Sequence, residues 1–331
     1  SGDWSSDVCS SDLGMVVGQL VYGPVSDAVG RRKPIIFGGA LFIAGCIMSA
    51  LADSYATMLI GRFVQGLGAA GPRIVVVAMI RDKFEGAAMA RVMSLIMTVF
   101  IIVPALAPAL GQAILLAASW RVIFVAFLFL AAAGVSWFWV YQSETLPQER
   151  RQPLTATRLW GAAVEVMIHP IAFGYMLTAG LVFASFIGFL NSSQQILQEK
   201  YSLGKLFPLY FAVLALSLGA STLTNSRLVM RFSMSVLCRC ALTSVIVLSL
   251  AYLAVAHVYA GHPPLWSLMT YLGTLFYAIG ILFGNMNALA MEPMGHIAGL
   301  ASALIASFTT LMSMTLGGLI GVLYRSEEHT S

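Results

Sequence analysis

The chain has 331 residues, of which 59% are hydrophobic and only 10% charged, and its formal net charge is +4. Soluble domains carry about 25% charged residues, and the mean hydropathy here is +0.87, so a water-soluble globular protein is excluded. The apolar residues lie in runs of roughly 20, the length that crosses a hydrocarbon core, and show little period-two alternation; this predicts an all-α membrane protein and excludes an outer-membrane barrel.

In chain order, the first stretch, 1–13, is polar and rich in Ser and Asp, and meets a hydrophobic run without transition. The last, 325–331, is equally abrupt. Residues 325–331 match the translation of a common sequencing-adapter string, and 7–13 match its reverse strand. Both segments are therefore expected to be foreign, and fold reasoning is confined to 14–324. That part carries 17 Lys/Arg against nine Asp/Glu.

Ten spans are expected, at 14–26 (short), 35–53, 57–80, 89–113, 119–141, 169–190, 207–226, 234–256, 266–289 and 297–322. The longest polar stretch, 142–168, divides them five and five. The expected organisation is thus an N-terminal bundle at 14–141, a cytoplasmic linker at 142–168 and a C-terminal bundle at 169–324. Cys46, Cys238 and Cys240 read as packing residues, and no His/Cys cluster has metal-ligand spacing. Neither a metal nor an organic cofactor is expected.

Between the first two spans runs Gly23-Pro-Val-Ser-Asp27-Ala-Val-Gly30-Arg31-Arg32-Lys33. A carboxylate, a turn glycine and three adjacent cations at the junction of two apolar runs predict a tight hairpin. Placing it in the cytoplasm puts Arg31, Arg32, Lys33, Arg81, Lys83, Arg91, Arg150, Arg151, Arg158, Arg227, Arg231 and Arg239 inside. Only Arg121, Lys200 and Lys205 then fall outside. That bias fixes the orientation by the positive-inside rule. Two spans after the linker, Asn225-Ser-Arg227-Leu-Val-Met-Arg231 echoes the hairpin at the matching place in the second half.

With Gly23, Asp27, Gly30, Arg31, Arg32 and Lys33 at these positions, the hairpin resembles the loop signature of the major facilitator superfamily. Two further segments share the resemblance. Arg62-Phe-Val-Gln65-Gly66 matches an Arg-x-x-Gln-Gly pattern in the family's fourth helix. Pro104-Ala-Leu-Ala107-Pro108-Ala-Leu-Gly111 is similar to the proline–glycine motif of its antiporters, with Ala107 and Gln112 where glycine is usual. The segment that starts at Glu292-Pro-Met-Gly295 looks like the eleventh helix of Bcr/CflA-type drug exporters.

The resemblance implies the family's fold of two pseudo-symmetric bundles of six helices, here without the first and last. It implies a gating role for the hairpin, proton coupling for Arg62, Gln65 and Gly66, and helix bending at Pro104, Pro108 and Gly111. It places a central cavity between the halves, with Arg73, Asn191, Gln194, Gln195, Tyr271, Tyr277, Asn285 and Asn287 as candidate substrate contacts and Phe183, Phe186 and Phe189 as an aromatic wall. Arg73, deep in its span, has no acidic partner evident in 14–324, and every acid in that part falls in a loop or at a helix end. A proton-binding acid is therefore expected in a first helix, and the chain as given is expected not to transport.

The function implied is proton-coupled efflux of drugs or other amphipathic small molecules, as a monomer of the inner membrane, driven by the proton gradient. The alternative is a family transporter for an organic anion, sugar or amino acid. A membrane enzyme is disfavoured because His169, His257, His262 and His296 are scattered over loops on both sides. No nucleic-acid partner is expected.

Overall fold

A computed structural model describes residues 4–84, 92, 103, 110–111, 114–115 and 117–328. Every regular element among them is helical: α1 (Trp4–Val29), α2 (Arg32–Ala50), α3 (Tyr55–Lys83), α4 (Arg121–Tyr141), α5 (Ala156–Ile168), α6 (Pro170–Gln194), α7 (Phe207–Leu228), α8 (Met234–Val258), α9 (Leu265–Met291) and α10 (Ala298–Glu328). Eight of them, all except α1 and α5, contain a segment long and apolar enough to cross a membrane.

Local chemistry sets several helix starts. Ser54 caps α3, its Oγ accepting the Thr57 N–H at 3.2 Å, which satisfies a donor the helix cannot. Pro170 opens α6 and Pro208 opens α7, where a missing N–H costs nothing.

Each half is built around one central helix. In the first, α3 lies between α1 and α2. Small residues let these backbones meet. A Cβ on Gly45 of α2 would lie 2.5 Å from Gln65 N, and one on Gly68 of α3 would lie 2.6 Å from Gly38 O. A Cβ on Gly66 would collide with the Ser11 carbonyl of α1. In the second half α9 takes the central place, packed by α7 and α8. The same three-helix arrangement thus recurs about the linker. Helices α6 and α10 complete the second half, and α10 also runs antiparallel along α1.

Phenylalanines zip α6 to α9, with Phe186 and Phe189 at 5.2 and 5.4 Å from Phe276 and Phe183 at 5.2 Å from Phe283. By contrast, α4 and α8 bury little of themselves in the protein, which makes them lipid-facing.

One expectation changes. The short first span is the second part of a 26-residue helix that starts at Trp4. Within the linker, α5 occupies about half of the residues. At 13 residues α5 is too short to cross, so a search for spanning runs passes over its one-sided apolar pattern. The fourth expected span, 89–113, lies almost wholly outside the described residues.

Candidate functional site

The α1–α2 hairpin gathers polar groups from separate parts of the chain. Gly30 turns the corner at φ +100°, a conformation that strains any residue with a side chain. The turn brings the next two backbone N–H groups onto the Glu144 carboxylate. Arg31 N–H donates to Oε1 at 2.8 Å and Arg32 N–H to Oε2 at 3.1 Å. Glu144 therefore sits across the N-terminus of α2, where negative charge is favoured. It also accepts from Thr145 and Leu146 N–H at 2.9 and 3.0 Å. Burial pushes its carboxyl upward, but the donors from Leu146, Arg31, Arg32 and Thr145 outweigh this and hold it below the ordinary glutamate value. Gly30 is needed here twice, since a Cβ would lie 2.5 Å from Glu144 Oε2.

Arg31 is the centre of the cluster and is 8% exposed. Its Nη1 donates to Asp27 Oδ1 at 2.5 Å and to Ser26 Oγ at 2.8 Å, and its Nε donates to Asp82 Oδ2 at 3.0 Å. Burial works against the guanidinium's charge, but its hydrogen bond to Asp82 and the charge of Asp27 raise its pKa above the usual value. Asp82 also accepts the Thr145 hydroxyl at 3.4 Å. Arg32 and Lys33 play different parts. Arg32 Nη2 donates to the Trp139 carbonyl at 2.5 Å, and Lys33 is exposed.

This cluster also joins the two halves. The Asp27 carboxylate faces Gly299, in the first turn of α10, where a Cβ would lie 2.7 Å from Oδ2. One turn back, Gly23 meets Ala303, and deeper still Ser307 Oγ donates to the Val16 carbonyl at 3.5 Å. The linker closes over the top, with Gln152 N–H donating to the Asp27 carbonyl at 3.0 Å. Asp82, Glu144 and Gln152 were not singled out from sequence. The available signal was a pair of adjacent arginines in a chain with few acids.

In α3, Arg62 Nη1 donates to Gln65 Oε1 at 2.8 Å, Gln65 Nε2 donates to Cys46 Sγ at 3.1 Å, and Arg62 stands 5.8 Å from the Phe124 ring centre. Arg73 is exposed and Nη1 approaches Met15 Sδ at 2.8 Å. Asp12 on α1, within the segment expected to be foreign, lies within electrostatic reach of both Arg62 and Arg73.

The remaining candidates do not share one cavity. Asn285 is buried and exchanges two hydrogen bonds with Asn225, at 2.8 and 3.2 Å, so its amide clasps α9 to α7. Tyr277 packs against the core cluster around Leu282 and Met286. Asn287 bonds its own helix at the Phe283 carbonyl, 2.9 Å. Asn191 and Gln195 are half-buried near the outer end of α6, where the helix passes into a π-helical turn (Gln195–Lys200); Gln194 is the last residue of α6.

Tyr271 stacks on Tyr252 at 4.2 Å and contacts Ser249 Oγ at 3.1 Å. It lines a cavity of about 510 Å³ between α6, α8 and α9, together with Phe189 and Ser192. Among the described residues, none of the first half lines this space. Pro104 and Pro108 lie outside the described residues, and a Cβ on Gly111 would meet nothing within 4 Å among those described.

Comparison with known proteins agrees with this architecture. A family model described as Major Facilitator Superfamily matches residues 12–317. The chain is 30% identical over 320 residues to an uncharacterized MFS-type transporter, YdgK, of Bacillus subtilis, covering 94% of this chain and 77% of that protein. It is 26% identical over 313 residues to a bicyclomycin resistance protein homolog of Haemophilus influenzae, covering 93% and 77%. Among solved structures, the partially occluded inward-open xylose transporter XylE of E. coli superposes with a TM-score of 0.66 at 16% identity, over 96% of this chain and 84% of that one.

Proposed function

The chain belongs to the major facilitator superfamily, and from that premise we propose that it exports drugs or other small amphipathic compounds across the inner membrane by alternating access, coupled to proton entry. The observation that carries this reading is the contact between Asp27 of the first half and Gly299 of the second, backed by the Arg31–Asp27–Asp82 ion pairs. A polar cluster at one end of the interface between two bundles supports a gate, because Asp27 gives up its approach to Gly299 when the halves part, while its pairing with Arg31 stays within the first half. One end closed by such a cluster leaves the other free to open, which is the requirement for a site reached from one side at a time.

The drug reading is supported by the relative named as a bicyclomycin resistance protein homolog. Proton coupling is supported by the resemblance of Arg62-Phe-Val-Gln65-Gly66 to the family's Arg-x-x-Gln-Gly pattern. We assign no proton step to Asp12, because it belongs to the segment that matches an adapter. The second reading, a family transporter for an organic anion, sugar or amino acid, is favoured on its organic-anion side by the exposed Arg73 cation on α3.

The test is drug-induced collapse of a respiration-driven pH gradient in everted vesicles carrying the full reading frame that contains residues 14–324, paired with a thermal-shift panel of drugs, sugars and organic anions. Collapse and stabilisation by lipophilic drugs are expected. Stabilisation by anions alone moves the assignment to the second reading. Stabilisation by drugs without collapse of the gradient removes the coupled-export step and leaves binding.

A further inference from the structure

We propose that Gln19 is a built-in weak point of the contact between the two halves. Its amide is shut in without a protein partner while α1 and α10 lie together, and it gains partners when they part, so the residue favours opening. This rests on the alternating-access reading above and names the group that keeps the closed arrangement from being too stable. Gln19 is 0% exposed, and neither its amide nitrogen nor its amide oxygen has a hydrogen-bond partner among the described residues. A glutamine offers two donors and an acceptor, and enclosing them unused opposes burial. Folded proteins keep few such groups, and each calls for an explanation.

Helical spacing places Gln19 on the boundary between the halves. Three residues before it, the Val16 carbonyl accepts from Ser307 of α10 at 3.5 Å. Four residues after it, a Cβ on Gly23 would lie 2.9 Å from the Ala303 Cβ of α10. Positions three before and four after a residue share its face of the helix, so contacts with α10 bracket Gln19. Its other flank follows α3. Met15 Sδ, four residues back, stands 2.8 Å from Arg73 Nη1, and Tyr22 Cε1, three residues on, is 3.3 Å from where a Cβ on Gly71 would sit. The amide therefore lies in the seam where α1 meets both α3 and α10. Exposed Val17 and Val21 mark the opposite side of α1, about half a turn away, so a helix added there does not reach the amide.

Tyr22 repeats the situation one turn further along, being 4% exposed with no hydrogen-bond partner for its hydroxyl among the described residues. Around these two groups the seam is made of small and apolar residues, which by themselves would be most stable together. An enclosed amide raises the free energy of the closed arrangement only, because parting the helices opens it to water or to a solute in the pathway. A transporter needs two arrangements of comparable free energy. A polar group stranded in one of them brings the two closer.

Cysteine accessibility tests this on the full reading frame that contains residues 14–324, held in nanodiscs so that reagent reaches both faces. Ser307→Cys reports on the seam, since Ser307 is 4% exposed and sits against Val16. Cys240→Ala removes the exposed native thiol. Gln19→Leu and Gln19→Met exchange the amide for apolar groups of similar size. Each should slow alkylation of the reporter thiol by on the order of tenfold and raise the melting temperature. Unchanged alkylation would show that the amide already has a partner in the closed seam, and overturns the inference. Faster alkylation, or loss of folded protein in both variants, would show that the amide holds the seam together, and overturns it equally. The rate is read without drug or pH gradient, so a negative efflux assay leaves the inference standing. A reporter thiol that never reacts in the Gln19 parent removes alternating access itself, and the inference with it.

Discussion

The Asp27 carboxylate and Gly299 touch across the boundary between the two halves, so closely that one added methyl group at Gly299 would stand 2.7 Å from Oδ2. Asp27 approaches the first turn of α10, where unpaired N–H groups and the helix dipole favour an anion, and is held there by Arg31 from behind.

Gly299→Ala should therefore force the two halves apart at the cytoplasmic end. The cost expected is roughly 1–3 kcal/mol, the usual range for overpacking a close contact. Alkylation of a cysteine placed at Ala303 by a membrane-impermeant reagent, applied from the cytoplasmic side, should speed up in the variant. An unchanged rate would show that the Asp27–Gly299 approach does not hold the gate.

Arg31→Ala leaves Asp27 and Asp82 recessed without their shared partner. Removing one member of a buried ion pair costs roughly 3–5 kcal/mol, and the partial exposure of both acids places this site at the lower end. Arg31→Lys should recover only part, because one ammonium cannot reproduce a planar fork reaching two carboxylates. Melting temperature in detergent should rank wild type above Arg31→Lys above Arg31→Ala.

Acid should weaken the site through Glu144. Its folded pKa lies below the ordinary value, so its stabilisation is fully present above the unfolded pKa of about 4.3 and is lost as pH falls through the lower folded value. The stability gap between wild type and Glu144→Gln should be constant from neutral to mildly acid pH and close only below the usual glutamate range. A gap that closes near neutrality would place the stabilising proton equilibrium elsewhere.

The Asn225–Asn285 clasp makes a paired prediction. Asn285→Leu strands the Asn225 amide and should cost about 1 kcal/mol, in keeping with hydrogen bonds between membrane helices. The double replacement Asn225→Leu with Asn285→Leu should recover much of that loss, because no buried amide is left unpaired. A double-mutant cycle on thermal unfolding gives the coupling directly, and an additive result would mean the two amides do not act together.

Helix content and the division into two halves were legible from residue order, because a bilayer imposes a length rule on each span separately. Gly30 was legible for the same local reason: a sharp turn between two helices selects a residue without a side chain. The helix α5 was not, since it is amphipathic and short, and its buried face acquires meaning only against Met176, Met294 and Ile305.

The hairpin cluster was half legible. Asp27 and Arg31 are four residues apart and meet within one turn, so sequence alone placed them together. Their other partners, Asp82, Glu144 and Gly299, arrive from far along the chain, and only the packing of α3, the linker and α10 against α1 decides that they converge. Asn285 and Tyr277 show the converse. Polar and aromatic residues at membrane depth must be satisfied somewhere, but whether by a cavity or by a neighbouring helix depends on which face the bundle turns inward, and that is decided by tertiary contact rather than by residue type.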